Sequence, residues 1–154
     1  SKEAVELVLA FGHARDMKGR MQSPELRSAN PAFARIAAMP EAELVQVIAG
    51  VFDTLASARE LSDVSKLLKT PGGRLLAKDY DRIVKEFGGD VPVYALSLPA
   101  SSQVAVHEAG RMPGWAAVRR IGNDARYFEQ VLRRVMAADA PPQRRPAAGA
   151  GATT

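Results

Sequence analysis

Two proline-glycine steps constrain the fold of this chain more than any other feature. They occur at 71–72 and 113–114, and each separates two segments whose apolar residues recur every three or four positions. Proline suits the first turn of a helix and disfavours helical conformation in the residue before it. Each step therefore predicts a corner between two consecutive helices. The expected fold class is all-α, with six to seven helices forming a compact bundle of helical hairpins with Pro-Gly corners.

The same periodicity predicts where the helices lie. Ser57 and Glu60 have the spacing of a capping box, which places a helix start near residue 58. Residues 90–98 are predicted to form an extended, partly buried linker, because Pro92 and the shortness of the run argue against a central strand. Residues 24–30 read as a polar connection. Amphipathic helices are expected over 2–21, 31–39, 40–55, 58–69, 71–87, from Pro99 to the second corner, and from that corner to 136.

Length and composition predict one domain followed by a tail. A chain of 154 residues, 47% of them apolar, can bury a single core without metals or disulfides. No apolar run approaches the ~18 residues needed to cross a bilayer. From Ala137 the composition changes to alanine, proline, glycine and threonine without periodicity. We therefore expect one α-helical domain over 1–136 and a disordered tail over 137–154.

The two corners also suggest an internal repeat. A shift of forty-two positions aligns Pro71 with Pro113 and Gly72 with Gly114, and it pairs apolar positions on both sides of the corner. Such self-similarity indicates a duplicated hairpin over 58–87 and 99–136. Chance similarity between two helical hairpins that begin with proline explains the same alignment. Both interpretations stay open at the level of the sequence.

The segment around the first corner resembles a known family. Glu60-Leu61, followed by Leu67-Leu68-Lys69-Thr70-Pro71-Gly72-Gly73, is similar to the core signature of the bacterial exported proteins catalogued as domain of unknown function 2059. In that signature an aromatic residue usually stands where this chain has Leu68, and this chain carries an additional glycine at the corner. The resemblance implies an all-helical periplasmic or secreted bacterial protein without an established activity. It transfers no catalytic residue.

The sequence contains no constellation typical of catalysis or metal binding. There is no cysteine, and the two histidines, His13 and His107, lack the spacing of a helical metal site. Ser101 and Ser102 are not flanked by the glycines of a nucleophile elbow, so helix capping explains them better. We therefore predict that the protein is not an enzyme and that it uses no metal and no cofactor.

Charge points to a candidate surface on the last helix. The net charge is +4, but most basic residues have acidic neighbours, which is typical of an ordinary solvated helix face. Arginines recur every seven residues near the C-terminal end, and such a stripe suits an acidic protein, lipid head groups or nucleic acid. A solvated face remains the simpler interpretation of the stripe, and burial in the core the simpler one for the tryptophan. The candidate partner-binding residues are Arg119, Arg120, Arg126, Arg133, Arg134 and Trp115.

Three functions are compatible with these patterns. The first is a non-catalytic α-helical interaction or structural module, periplasmic or secreted in a bacterium, that joins other protein subunits in a larger assembly. The alternative is a basic nucleic-acid-binding protein of the cytoplasm that uses the arginine stripe. A weaker alternative is a helical bundle that binds a lipid or small ligand, which requires an internal cavity.

Overall fold

The computed structural model describes residues 1–138, and all regular secondary structure within them is helical. The all-α prediction is confirmed, and the helices pack compactly, but the predicted number of six to seven is wrong. The described residues form twelve helices: α1 Lys2–Phe11, α2 His13–Arg20, α3 Pro24–Ala29, α4 Pro31–Ala38, α5 Glu41–Leu55, α6 Ala58–Leu68, α7 Pro71–Lys78, α8 Tyr80–Phe87, α9 Val91–Ala95, α10 Ala100–Arg111, α11 Pro113–Gly122 and α12 Tyr127–Ala138.

Three of the expected long helices are each divided in two. Gly12 separates α1 from α2 with φ 68°, a left-handed conformation that glycine adopts without strain. Asp79 separates α7 from α8, and residues 123–126 separate α11 from α12. The apolar spacing continues across each of these breaks, so periodicity alone gives no sign of them. The sequence prediction of unbroken helices over 2–21, 71–87 and 113–136 is therefore wrong.

Two segments expected to be irregular are helical. The polar connection contains α3, which begins at Pro24. The predicted linker contains α9, where the Asp90 carboxylate caps the helix by accepting from the Val93 amide at 3.1 Å. Val91, Tyr94 and Ala95 are buried on one face of this short helix, which is helical rather than extended spacing.

Tyr94 joins α9 to the α7–α8 junction. Its side chain is fully buried, and its hydroxyl donates a hydrogen bond of 2.5 Å to the Asp79 carboxylate. Burial raises the pKa of Tyr94, and the hydrogen bond to Asp79 raises it further. A linker expected to be peripheral therefore supplies a buried support for one of the helix breaks.

Both Pro-Gly corners are present as predicted. Pro71 and Pro113 each occupy the first turn of the helix after the corner. The Thr70 hydroxyl caps α7 by accepting from the Gly73 amide at 2.9 Å. The predicted capping box of α6 is also confirmed, with Ser57 and Glu60 hydrogen-bonded to each other's backbone at 3.0 Å.

The two hairpins that contain these corners pack against each other. The first helix of one hairpin contacts the second helix of the other, so that α6 packs on α11 and α7 packs on α10. Gly72 lies directly against the Ala105 carbonyl, and a Cβ added to it would overlap that carbonyl and lie 3.0 Å from the Ala109 Cβ. Only glycine allows this close crossing.

The second corner makes the equivalent contact in reverse. Gly114 lies against the Asp63 carbonyl, and a Cβ added to it would come within 2.8 Å of the Leu67 Cβ. A shift of forty-two positions converts each residue of the first contact into the corresponding residue of the second. The interface between the hairpins is therefore reciprocal, as in a two-fold arrangement.

The core centres on α5, as the sequence predicts. Leu44, Ile48, Val51 and Phe52 are fully buried there, and α1, α2 and α12 pack around this helix. Ala137 and Ala138 belong to α12, so the predicted tail does not begin at Ala137; the rest of that prediction, 139–154, lies outside the described residues. Within 1–138, no helix combines the length and apolar character required to span a membrane.

Candidate functional site

Three of the helix breaks surround one large surface groove, which we call the junction groove. It has a volume of about 1170 Å³ and opens between the α1–α2, α7–α8 and α11–α12 junctions. Its lining consists of Glu6, Ala10, Phe11, Gly12, His13, Arg15, Asp16, Met17, Arg20, Met21, Leu68, Arg74, Ala77, Lys78, Tyr80, Asp81, Val84, Arg119, Gly122, Asn123, Asp124, Tyr127 and Phe128. Each break ends one helix and turns the next, which leaves a concave surface where the three junctions meet.

Aromatic rings form the floor of the junction groove. The His13 ring meets Phe52 edge-on at 5.0 Å between centroids, and Tyr127 at 6.2 Å. Phe11 meets Tyr80 in the same edge-on manner at 5.2 Å. Edge-to-face pairs at these separations are favourable packing geometries. The floor is thus an aromatic surface assembled from α1, α2, α8 and α12, with Phe52 of α5 packed beneath it.

His13 places a buried ring nitrogen in this floor. The residue retains some exposure to the groove, but its Nδ1 is buried and has no hydrogen-bond partner within the described residues. Burial lowers the pKa of His13 to about 4, and the Leu7 carbonyl offsets this only in part. The imidazole is therefore neutral at neutral pH.

Gly122 brings bare backbone next to two polar atoms of the floor. A Cβ added at Gly122 would lie 3.3 Å from the Tyr80 hydroxyl oxygen and 3.9 Å from His13 Nε2. Because Gly122 carries no side chain, the space beside both atoms stays open.

The rim of the groove carries an excess of positive charge. Three of its four carboxylates are paired: Asp16 with Arg20 at 2.9 Å, Asp81 with Lys85 at 3.0 Å and Asp124 with Arg126 at 2.7 Å. Of these four lining carboxylates, Glu6 is the one to which the described residues give no ion pair. The basic residues that line the groove without a carboxylate partner there are Arg15, Arg74, Lys78 and Arg119.

The predicted arginine stripe is divided between α11, α12 and the turn that joins them. The break between α11 and α12 interrupts the seven-residue repeat, and only Arg119 lines the junction groove. Its guanidinium lies over Gly89, where an added Cβ would come within 2.9 Å of the Arg119 Cζ. Trp115 is 7% exposed and packs edge-on against Tyr80 at 5.8 Å. It therefore supports the groove floor from beneath.

Arg120 joins three parts of the fold. It donates to the Leu55 carbonyl at the end of α5 at 2.9 Å, to the Glu60 carboxylate at 2.9 Å and to the Asp124 carboxylate at 3.2 Å. The hydrogen bond from Arg120 lowers the pKa of Glu60 despite partial burial of that carboxyl. The Arg120 guanidinium is thus engaged in hydrogen bonds within the molecule.

The other three predicted arginines lie on or next to α12. Hydrogen bonds from the Arg126 side chain and amide lower the pKa of Asp124, and this pair organises the turn before α12. Arg133 is paired with Glu129 at 2.6 Å on an exposed face. The Arg134 guanidinium crosses over Gly50 of α5. None of these three lines the junction groove.

The residues that sequence reasoning missed are His13, Tyr80 and Tyr127 as members of one site. They lie on three different helices, so no spacing along the chain connects them. Gly122 was detectable as a glycine inside a helical pattern, which often marks a close contact. His107 lies on α10, outside the groove lining. Within residues 1–138, no group of three or more His, Asp and Glu side chains is arranged to hold a metal ion.

Comparison with known proteins adds no relative. No protein-family model, no curated protein and no solved structure matches this chain. The resemblance to the exported family therefore stays a prediction.

Proposed function

We propose that this chain is a non-catalytic α-helical interaction module that binds an acidic segment of a partner protein in the junction groove. The observation that carries the proposal is an aromatic floor beneath a positively charged rim. The rim holds four basic residues without a carboxylate partner there, and one carboxylate without a cationic partner. Apolar side chains of a partner suit the floor, and its carboxylates suit the rim. A periplasmic or secreted location remains part of the same prediction.

The mixed charge of the rim favours a polypeptide over a nucleic acid. A phosphate backbone carries closely spaced negative charges, and four carboxylates lie along the groove. A polypeptide instead places one or two carboxylates among apolar side chains, so that most of its length carries no negative charge for the groove carboxylates to repel. Arg120 and Arg126, which would belong to a phosphate-binding stripe, are already engaged with carboxylates of the chain itself.

The shape of the groove favours a peptide over a lipid. A lipid chain requires an enclosed apolar cavity, whereas this groove is open to solvent and its rim is charged. For catalysis, a base needs a partner that orients it, and His13 makes no hydrogen bond to a carboxylate in the described chain. These features support binding without chemistry.

A peptide selection tests the proposal directly. A phage library of random short peptides is selected on the immobilised protein, and the enriched peptides are titrated by fluorescence polarisation. We expect enriched sequences to combine Asp or Glu with aromatic or aliphatic residues. The double variant Arg15→Glu/Lys78→Glu should weaken their binding by about fivefold or more, because it reverses two unpaired rim charges.

The matched control changes the same net charge elsewhere. Arg59 and Arg111 are exposed, lie outside the groove lining and belong to α6 and α10. The variant Arg59→Glu/Arg111→Glu should bind the peptides as the unmodified protein does. Equal losses in both double variants, or no enrichment of acidic peptides, would contradict the proposal.

A DNA titration distinguishes peptide binding from the alternative function, nucleic-acid binding. Duplex and single-stranded DNA are added at low and at moderate salt to the same protein. Binding that is tight at low salt and falls steeply with added salt, with acidic peptides not competing, would favour the nucleic-acid reading instead.

A further inference from the structure

The ring of His13 joins the three helix breaks that surround the junction groove. His13, Tyr80 and Tyr127 are the first residues of α2, α8 and α12, so each of them directly follows one of the breaks. The centroid of the His13 ring lies 6.2 Å from that of Tyr80 and 6.2 Å from that of Tyr127. One imidazole therefore packs against the starts of both other helices.

We propose that His13 is a pH-sensitive latch: its neutral ring holds the three breaks together, and its protonation separates them and opens the junction groove. The inference goes beyond the proposed binding function and does not depend on it, because the latch is a property of the chain alone. The other contacts of the ring suit this role. His13 also packs against Phe11 at 6.3 Å and Phe52 at 5.0 Å, so the neutral imidazole is one member of an aromatic cluster.

The position of His13 at a helix start makes its charged form unfavourable. The amides in the first turn of a helix carry a partial positive charge, which repels a cation. His13 begins α2, and two of the rings that it contacts begin α8 and α12. A proton on the imidazole therefore adds positive charge where three helix starts meet. Burial acts in the same direction, because it removes the water that would solvate the cation.

The charged side chains around the latch also oppose its protonation. The carboxylates that line the groove are Glu6, Asp16, Asp81 and Asp124. The basic side chains that line it are Arg15, Arg20, Arg74, Lys78 and Arg119. The acidic residues of α5 lie outside this lining. The phenols of Tyr80 and Tyr127 complete the titratable groups, and a phenol is neutral below about pH 8. Basic groups outnumber acidic ones, so the net charge of the lining disfavours an imidazolium.

The breaks allow the groove to open while the interface between the two hairpins stays in place. Gly12 is left-handed, with φ 68°, and residues 123–126 are not helical, so α2 and α12 are joined to the preceding helices by short non-helical links. The hairpin interface lies elsewhere, where α6 packs on α11 and α7 packs on α10. Separation of α2, α8 and α12 therefore does not require the hairpins to part.

Acid shifts the equilibrium toward the open form. In the closed form, burial lowers the pKa of His13 to about 4, whereas an open form exposes the ring to water and restores the ordinary value of 6.5. The open form therefore takes up the proton first as the pH falls. Between about pH 7.5 and about pH 5, the ratio of open to closed molecules should rise by about thirtyfold. This interval lies above the ordinary pKa values of Asp and Glu, so carboxyl groups contribute little to the change.

Amide hydrogen exchange measures the open fraction helix by helix. The protein is exchanged at about pH 7.5 and about pH 5, and each rate is compared with the intrinsic rate of an unstructured amide at the same pH. We expect the protection of α2, α8 and α12 to fall together by about thirtyfold at the lower pH. It should also be weaker than the limit that global unfolding sets at that pH, as measured by urea denaturation, whereas amides of α6 and α10 should reach that limit.

The two histidines of the chain provide matched variants. His13→Phe keeps an aromatic ring in the cluster but takes up no proton, so the protection of the three helices should be nearly the same at both pH values. His13→Gln removes the same titration without adding bulk and should give the same result. His107 lies on α10, outside the groove lining, and His107→Gln should keep the change of about thirtyfold.

Three results would overturn the latch. The first is unchanged protection in the three helices at the lower pH, and the second is a pH dependence that persists in His13→Phe and His13→Gln. The third is exchange of α2, α8 and α12 at the global limit, which would mean that the chain unfolds as one unit. A failed peptide selection leaves this test unaffected, because the exchange is measured on the protein alone.

Discussion

At the scale of single residues, His13 shows how burial sets chemistry that spacing along the chain does not reveal. The sequence predicts a histidine on an amphipathic helix without a metal-binding partner. Its place among Phe11, Phe52 and Tyr127 follows from contacts between four helices. Because these neighbours bury the ring away from water, the imidazolium form is unfavourable, and the pKa of His13 falls to about 4.

The lowered pKa predicts that stability declines in mild acid. His13 has an ordinary pKa of 6.5 in the unfolded chain and about 4 in the folded one, so the unfolded state binds the proton first as the pH falls. From about pH 7.5 to about pH 5 this should lower the free energy of unfolding by about 2 kcal/mol. Urea denaturation at both pH values measures it. In His13→Gln, the difference in the free energy of unfolding between the two pH values should be smaller by that amount. An unchanged difference would show that His13 is not the group responsible.

The glycines of the two corners give a second prediction at this scale. An alanine at position 72 or 114 would place its Cβ against a backbone carbonyl of the facing hairpin, which cannot move independently of its helix. Gly72→Ala and Gly114→Ala should therefore each lower the free energy of unfolding by about 3 kcal/mol. Gly50→Ala is the control, because the added Cβ meets only the flexible end of Arg134. Thermal or urea unfolding that shows the same loss for all three would contradict the explanation.

At the scale of helices, the sequence predicts apolar faces well and helix ends poorly. The stripe of α5, the capping box of α6 and both corners follow from side chains within one turn of each other. The breaks at Gly12, Asp79 and 123–126 do not, because the apolar spacing runs through them. Asp79 is held by a hydrogen bond from Tyr94, fifteen residues away. Such support from a distant element leaves no local pattern.

Arg120 carries the prediction that belongs to this scale. It links the end of α5, the start of α6 and the turn after α11 through four hydrogen bonds. Although its side chain is partly exposed, a network of this kind is worth more than one isolated surface pair, and Arg120→Ala should cost about 1 kcal/mol or more. Arg133→Ala, which breaks one exposed pair with Glu129, should cost close to nothing by the same urea measurement. If both variants lose the same free energy of unfolding, the Arg120 network contributes no more to stability than one exposed ion pair.

At the scale of the whole molecule, the junction groove exists because the three helix breaks face one another. No sequence motif encodes it, since its floor comes from helices that are separated by long stretches of chain. Of the residues predicted to bind a partner, the groove contains Arg119 and rests on Trp115. The sequence thus predicted the all-helical fold and one residue of the groove lining, whereas the arrangement of the groove depended on where three helices change direction.

The reciprocal contacts of the two hairpins have a practical consequence for experiments on this chain. Because Gly72 meets Ala105 as Gly114 meets Asp63, the two corner glycines lie in equivalent close contacts forty-two positions apart. A substitution made at one corner glycine can therefore be repeated at the other, and its effect on stability measured in both places. Any difference between the two changes in stability then reports how the surrounding chain affects each hairpin.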